Sequence, residues 1–484
     1  MPVEPSKSTP QESSAVASVD ANGTSNAQML TIVAAFCCLV VALQQTLVIP
    51  AVPQFPTLLD STPEMVSWLV TATLLAGAVA TPIFGRLSDL VGKRRMMFIS
   101  MLFVLVGSLV APLGGIEWVI AGRALQGVGT ALVPVAMAQM RDSLPAHRVG
   151  MSLAVLSATL GVGGSIGIPL GGVILDASSW QWLFWLSAAL TVVSLIAIAV
   201  VVPPSEPSAS GSFDYVGSIL LSLALLALLV VISNGGAWGW LAPRTLVFLA
   251  VGVVLMAWWV RFELKHDSPM VDLRTSTIRP LLFTNLASLL LGVMMFTNLL
   301  LTTLRLQNPL TQGGFEWGAA AAALAMLPTA VIMFIVAPFS ARMADRYSAR
   351  FILVLGSAIG VLGYIGAAVA SISAPLTIVW TSVISAGVGI GYAALPMLIV
   401  EHAPRQEIGS ANGVNALLRA IGTAIGSAVV GGFTAILIVS EHGVTTPSSI
   451  ALLAVSVFGV IVGLLTTFVS TQARALQQLV KSAL

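Results

Sequence analysis

The sequence predicts an all-α integral membrane protein whose fourteen transmembrane helices form two parallel six-helix bundles, with two further spans inserted between them. Three observations carry this reading. The chain of 484 residues is 57% hydrophobic and only 8% charged, whereas a soluble domain is about 25% charged, so its charges cannot coat a water-facing surface of its size. Its apolar runs are about 20 residues long and do not alternate in polarity, which makes them helices and not strands of a barrel. Finally, one charged loop occurs twice. Gly85-Arg86-Leu87-Ser88-Asp89-Leu90-Val91-Gly92-Lys93-Arg94-Arg95 joins two apolar runs, and Ala341-Arg342-Met343-Ala344-Asp345-Arg346-Tyr347-Ser348-Ala349-Arg350 does the same in the second half. Arg342 answers Arg86, Asp345 answers Asp89 and Arg350 answers Arg94.

In chain order, residues 1–28 are rich in Ser, Pro, Ala and Asn and are expected to form a disordered tail. They do not read as a signal peptide, because no charged segment precedes the first apolar run near Met29. Spans are expected at 29–52, 65–85, 96–113, 117–140, 150–175, 181–202, 215–233, 244–262, 281–304, 318–340, 351–371, 376–399, 409–437 and 450–471. The first six make the bundle 29–202. A polar linker then leads into the two inserted spans of segment 203–280, whose Trp238, Trp240, Trp258 and Trp259 lie near span ends, where interfacial Trp is expected. The last six make the bundle 281–472, followed by a cytoplasmic tail at 473–484. Parallel halves of this kind, each made of inverted triplets, are a transporter architecture.

An even number of spans puts both termini on one side. Of the 21 Lys and Arg, Arg123 and Arg419 fall inside spans and Arg244 and Arg305 fall on one face. The other 17 fall on the face that holds the termini and both charged loops, which the positive-inside bias makes cytoplasmic.

Composition also excludes functions. A net charge of +2 implies no nucleic-acid partner. The two cysteines, Cys37 and Cys38, are adjacent within the first span, so no disulfide framework exists. No His, Cys, Asp or Glu cluster has metal-ligand spacing, so no metal or cofactor is expected. No nucleophile–base pair and no Gly-x-x-x-x-Gly-Lys-Ser/Thr phosphate loop is present, which argues against an enzyme.

Several residues stand out on physical grounds. In the first charged loop, Gly85 and Gly92 suit close packing and a sharp turn, with Asp89 ahead of the turn and Lys93 and Arg94 after it. The loop reads either as a gate or as a plain positive-inside anchor. Arg123 and Arg419 each cost about 2.5–3.5 kcal/mol inside a membrane and call for a partner or a cavity. Gln126 shares the helix face of Arg123. Arg123 acts on protonation or on an anionic group, or else it snorkels to the outer interface. Arg419 lies too deep for easy snorkelling and either bonds backbone carbonyls or takes part in transport. None of the 19 acids lies deep in a span. The candidates for a proton-carrying acid are therefore peripheral, Asp176 and Glu64, and neutral, amphipathic or anionic cargo is favoured over cations. Gln44, Gln45, Thr46, Asn285, Asn298, Asn412 and Asn415 are intramembrane polar side chains that face either a pathway or one another. Met294, Met295 and Phe296 offer an adaptable apolar wall. Gly167, Pro169 and Gly171 make the fifth span thin and kinkable.

These residues also carry a resemblance. Gly85-x-x-x-Asp89-x-x-Gly92-Lys93-Arg94, Arg123-x-x-Gln126-Gly127-x-Gly129, Gly163-x-x-x-Gly167-x-Pro169-x-Gly171-Gly172, Trp180-Gln181-Trp182-Leu183-Phe184 and Gly409-x-x-Asn412-Gly413…Arg419-x-x-Gly422-x-x-x-Gly426 occur in this order. Together they resemble the motifs of the major facilitator superfamily, in particular its 14-span drug:proton antiporter branch. The proline of the third motif falls one residue later than is usual there. The resemblance implies a monomeric, multi-pass exporter of small amphipathic compounds in a bacterial inner membrane, working by alternating access with protons as the coupling ion. It also implies that Asp89 bridges to the other half and that the fifth-span bend controls leak. One departure stands against coupling. That branch carries an aspartate near the end of its first span, and here Leu43-Gln44-Gln45-Thr46 puts Gln44, which cannot titrate, in its place. A lipid or metabolite transporter without proton coupling, or a non-transporting receptor, are the alternative readings.

Overall fold

The structure is a computed structural model that describes residues 10–52, 54–207, 213–266, 273, 278–307, 310, 314–370, 373–404 and 408–438. The expected span 450–471 and the tail 473–484 lie outside the described residues. The first half contains α1 (Pro10–Leu47), the short α2 (Phe55–Leu58), α3 (Pro63–Val91), α4 (Lys93–Val110), α5 (Ile116–Val128), α6 (Leu132–Ser143), α7 (Ala146–Ala177) and α8 (Gln181–Val201). A 3-10 turn at Gly129–Ala131 joins α5 to α6, so the two make one span. Next come α9 (Tyr215–Trp238) and α10 (Pro243–Glu263). The second half contains α11 (Arg279–Gln307), α12 (Ala319–Leu324), α13 (Leu327–Tyr347), α14 (Ala349–Ala370), α15 (Ala374–His402) and α16 (Ile408–Ile438).

Among the described residues, 10 helices are long and apolar enough to cross a membrane. Two differences from expectation have local causes. Helix α1 starts at Pro10 and continues into the segment expected to be a disordered tail; no proline interrupts 11–49, so the polar run continues the apolar one as a single helix. The expected span 318–340 is broken between α12 and α13, where Pro328 near the start of α13 supplies no N–H to continue the earlier helix.

The repeated loop is repeated in its backbone. Helix α3 stops at Val91 and α4 starts at Lys93, leaving Gly92 alone between them with φ +105°. Helix α13 stops at Tyr347 and α14 starts at Ala349, leaving Ser348 with φ +121°. Both turns use the left-handed side of the map, which glycine enters freely and serine enters at a cost.

Within the first half, α1 packs along α7 through a row of glycines. A Cβ on Gly163 would lie 2.6 Å from Leu39 O, one on Gly167 would lie 2.6 Å from Leu43 O, and one on Gly171 would strike Leu47 O. Glycine every fourth residue lets the two backbones touch. The second half repeats the arrangement between α11 and α16, where a Cβ on Gly426 would lie 2.9 Å from Val293 O. The halves meet where α3 packs on α16 and where α7 packs on α13 and α15. Helix α9 packs on α10, α3 and α16. Its Leu221 and Leu225 join Leu75 and Ala78 of α3, Trp259 of α10 and Leu417 of α16 in one apolar cluster. Helix α10 instead leaves Val247, Leu249 and Val254 exposed, as suits a lipid-facing surface.

Candidate transport pathway

A cavity of about 150 Å³ lies between the halves. Ligand clefts measure about 300–1,000 Å³, so the cavity is small by comparison. Helix α1 contributes Gln45 and Thr46, α3 contributes Thr73 and Thr81, and the α5–α6 turn contributes Thr130. Leu160 of α7 and Met295, Phe296 and Leu299 of α11 form its apolar wall. Tyr392 of α15 and Arg419 and Thr423 of α16 complete it. Among the described residues, Arg419 is the only charged one in this lining. Its guanidinium carbon lies 5.4 Å from the centre of the Tyr392 ring, within reach of a cation–π contact. Tyr392 is 3% exposed and its hydroxyl has no hydrogen-bond partner among the described residues. Tyr364 makes the contrast, since its hydroxyl donates to Met294 O at 2.6 Å.

Arg123 is placed very differently. It is 2% exposed, which sets aside the snorkelling reading. It donates to Gln44 O at 2.8 Å, Gln45 O at 3.2 Å, Leu69 O at 3.4 Å and Gln126 Oε1 at 3.0 Å. Gln126 donates in turn to Ser108 Oγ at 2.8 Å, and Gln44 Nε2 donates to Gln126 O at 3.0 Å. One guanidinium therefore ties α1, α3 and α5 together and spends its donors on protein acceptors.

The second-half amides also divide. Asn415 Nδ2 donates to Asn285 Oδ1 at 3.2 Å, while Ser288 Oγ donates to Asn415 Oδ1 at 3.0 Å, so Asn285 and Asn415 bind α11 to α16. Asn412 is buried at 4% exposure. Asn298 donates to Ser385 Oγ at 3.2 Å and lines a small void beside Gly164 and Met295. Of the amides expected to face a pathway, Gln45 lines the central cavity and Asn298 lines its neighbour. Met294 is fully buried, whereas Met295 and Phe296 reach the cavity. Gly167 and Gly171 serve the α1–α7 contact, and Pro169 is buried within α7. Asp176 is exposed at the end of α7.

On the loop side, Lys93 is 2% exposed and its Nζ lies 2.7 Å from Asp142 Oδ2 and 3.6 Å from Asp89 Oδ1. Arg94 donates through Nη2 to Ala199 O at 2.6 Å and through its backbone N–H to Ser205 Oγ at 3.0 Å. In the second copy, Arg350 Nη2 lies 2.8 Å from His402 Nε2, Arg342 is exposed, and Asp345 sits in the last turn of α13. Each loop thus reaches the end of a later helix of its own half, α6 in one case and α15 in the other. Gly92 fills the expected role of a sharp turn. Gly85 does not pack closely: a Cβ there would meet nothing within 4 Å, because its missing side chain points into open space.

Sequence reasoning missed Asp142 and Tyr392. In the sequence Asp142 is one of several charges that flank the spans, and Tyr392 is a single residue of an otherwise apolar run. An intramembrane tyrosine carries a polar handle that wants a partner, and that was the available signal.

Helices of both halves line one cavity at their seam, and each half carries the same one-residue charged turn. The family model described as Major Facilitator Superfamily matches residues 34–427, and the chain belongs to that superfamily. It is 27% identical over 432 residues to the tetracenomycin C resistance and export protein of Streptomyces glaucescens, covering 88% of this chain and 79% of that protein. It is 29% identical over 380 residues to a multidrug resistance protein B homolog of Mycobacterium tuberculosis, covering 76% and 69%. An uncharacterized MFS-type transporter of the same organism is 29% identical over 407 residues, and the alignment covers 82% of this chain but 58% of that relative's length. The crystal structure of the human organic anion transporter MFSD10 shares the fold, with a TM-score of 0.64, 16% identity and coverage of 92% of this chain and 99% of that one.

Proposed function

We propose that this transporter exports small amphipathic, drug-like compounds from the cytoplasm by alternating access around the central cavity. The observation that carries the proposal is the cavity's position: both halves line it, so rocking one against the other exposes it to either side in turn. The relatives named for drug resistance and export support the direction and the cargo type. The proposed setting is a bacterial cytoplasmic membrane, with fourteen spans, α9 and α10 as an inserted pair, both termini cytoplasmic and a monomer as the working unit. In this reading the charged turns at Gly92 and Ser348 latch the cytoplasmic side. Proton antiport lacks its usual first-span acid, since Gln44 stands there and is hydrogen-bonded to Gln126 O.

The test fills the cavity. A Cβ at Gly164 meets Met295 Cε at 3.7 Å, an ordinary contact, so Gly164→Leu projects into the space without displacing backbone. The expected result is loss of dye efflux from proteoliposomes with unchanged expression and thermal stability. Efflux equal to that of the unsubstituted protein would refute the cavity as the pathway.

A further inference from the structure

We infer that the cargo is an amphipathic monoanion whose acidic group is held by Arg419 and Tyr392, and that its export is electrogenic and driven by the membrane potential. The inference rests on the reading of the cavity as the export pathway and adds to it a substrate class and an energy source.

The two intramembrane arginines use their donors differently. Arg123 gives its N–H groups to three backbone carbonyls and one side-chain amide, so it is satisfied without a ligand. Arg419 makes no hydrogen bond or ion pair among the described residues, and its recorded contact is the face of Tyr392. A guanidinium offers five N–H donors in a planar fork that matches a carboxylate or sulfonate. The neighbouring hydroxyl of Tyr392 is buried and without a partner. The two residues line the same cavity, so a donor cluster faces the space where cargo would sit.

Among the described residues no Asp or Glu reaches this cluster. The sequence has no Asp or Glu between Asp20 and Asp60, between Glu64 and Asp89, between Asp142 and Asp176, between Asp272 and Glu316, between Asp345 and Glu401, or between Glu407 and Glu441. These intervals contain the intramembrane lengths of α1, α3, α7, α11, α15 and α16. An intramembrane arginine that is not satisfied by protein acceptors, as Arg123 is, marks a pathway for an anion, and the cargo is the anion that can reach Arg419. Beside the donors stand Leu160, Met295, Phe296 and Leu299, which suit an apolar body joined to the acidic group.

Energy follows from the charge. The cytoplasm is electrically negative, so a monoanion leaving it moves down the potential. At 100 mV the gain is about 2.3 kcal/mol per elementary charge, equivalent to a roughly 50-fold concentration ratio. Export of such a cargo needs no titrating residue, which makes the glutamine at position 44 compatible with active accumulation outside.

The experiment uses the purified full-length protein in proteoliposomes loaded with a fluorescent naphthalene sulfonate, which stays ionised at every working pH, or with its neutral sulfonamide. Potassium gradients with valinomycin set the potential, and a pH gradient is imposed separately. The expected result is sulfonate efflux at least tenfold faster with a negative lumen than with a positive one, and no response to the pH gradient. Arg419→Gln lowers the ratio of sulfonate to sulfonamide efflux at least tenfold, with thermal stability unchanged. Arg419→Lys restores part of it, and Tyr392→Phe raises the half-saturating sulfonate concentration several-fold. If sulfonamide is exported but sulfonate is not, or if Arg419→Gln leaves the ratio of the two intact, the monoanion assignment is overturned and the export reading stands. If sulfonate efflux follows the pH gradient and ignores the potential, the energy source is overturned. If neither compound moves, the export reading fails and this inference with it.

Discussion

Replacing Gly92 by alanine tests the turn on which the first charged loop depends. Its φ of +105° disfavours any side chain, which costs roughly 1–2 kcal/mol for an L-residue on that side of the map. The new Cβ would also lie 2.7 Å from Ser205 O, so the 203–207 segment must move. That movement breaks the bond from the Arg94 N–H to Ser205 Oγ, now 3.0 Å long, for a further loss of about 1 kcal/mol. The sum is about 2–3 kcal/mol, a large share of the roughly 5–15 kcal/mol that holds a protein together. Gly85→Ala is the matched control, because a Cβ there meets nothing within 4 Å and the position is helical; alanine there is neutral or favourable by up to about 1 kcal/mol. The assay is thermal unfolding of the purified protein in mild detergent, followed by size-exclusion fluorescence. Gly92→Ala should melt several degrees lower and Gly85→Ala should not. Equal melting of the two variants would refute the argument.

The other predictions concern the two membrane arms of the first half and its loop. Gly167→Ala should force α1 and α7 apart, since its Cβ would lie 2.6 Å from Leu43 O; a loss of about 1–3 kcal/mol is expected, read as a lower melting temperature with reduced efflux. Arg123→Gln should destabilise the protein by about 2–4 kcal/mol, because it strips donors from buried carbonyls on two helices; wild-type stability with lost transport would instead mark Arg123 as a transport residue. The latch reading predicts that Lys93→Gln, by removing the 2.7 Å pair with Asp142, shifts the access equilibrium by about 1–2 kcal/mol, or roughly 5- to 30-fold. Labelling of Thr81→Cys by an impermeant thiol reagent from the cytoplasmic side measures the shift, and an unchanged rate would count against the latch.

The parts of the fold that were legible in the sequence are those written in contrast. Charges stand out in an apolar chain, so the repeated loop was visible, and its two copies prove to share a one-residue turn at Gly92 and Ser348. The 10 described helices long and apolar enough to cross a membrane fall on spans expected from hydropathy, while a proline or its absence sets other boundaries, as at Pro328 and before Met29. The division of labour between the two arginines was not legible. The acceptors of Arg123 are mostly backbone carbonyls of Gln44, Gln45 and Leu69, and every residue has a carbonyl, so no side-chain pattern announces them. The same holds for Lys93, whose partner Asp142 comes from a distant stretch that only the packing of α4 beside α6 brings near.

The placement of α9 has a consequence for molecules dissolved in the bilayer. The two halves meet along two long seams, one along α3 and α16 and one along α7 and α13. Here α9 lies across the first seam and welds it with leucine contacts to both sides, and α10 turns the resulting outer surface toward lipid. Among the described residues the two seams are therefore unlike. A solute approaching sideways meets a flank covered by α9 on one side and a seam that no described helix crosses on the other, and any rocking of α3 against α16 must slide beneath α9 as it goes.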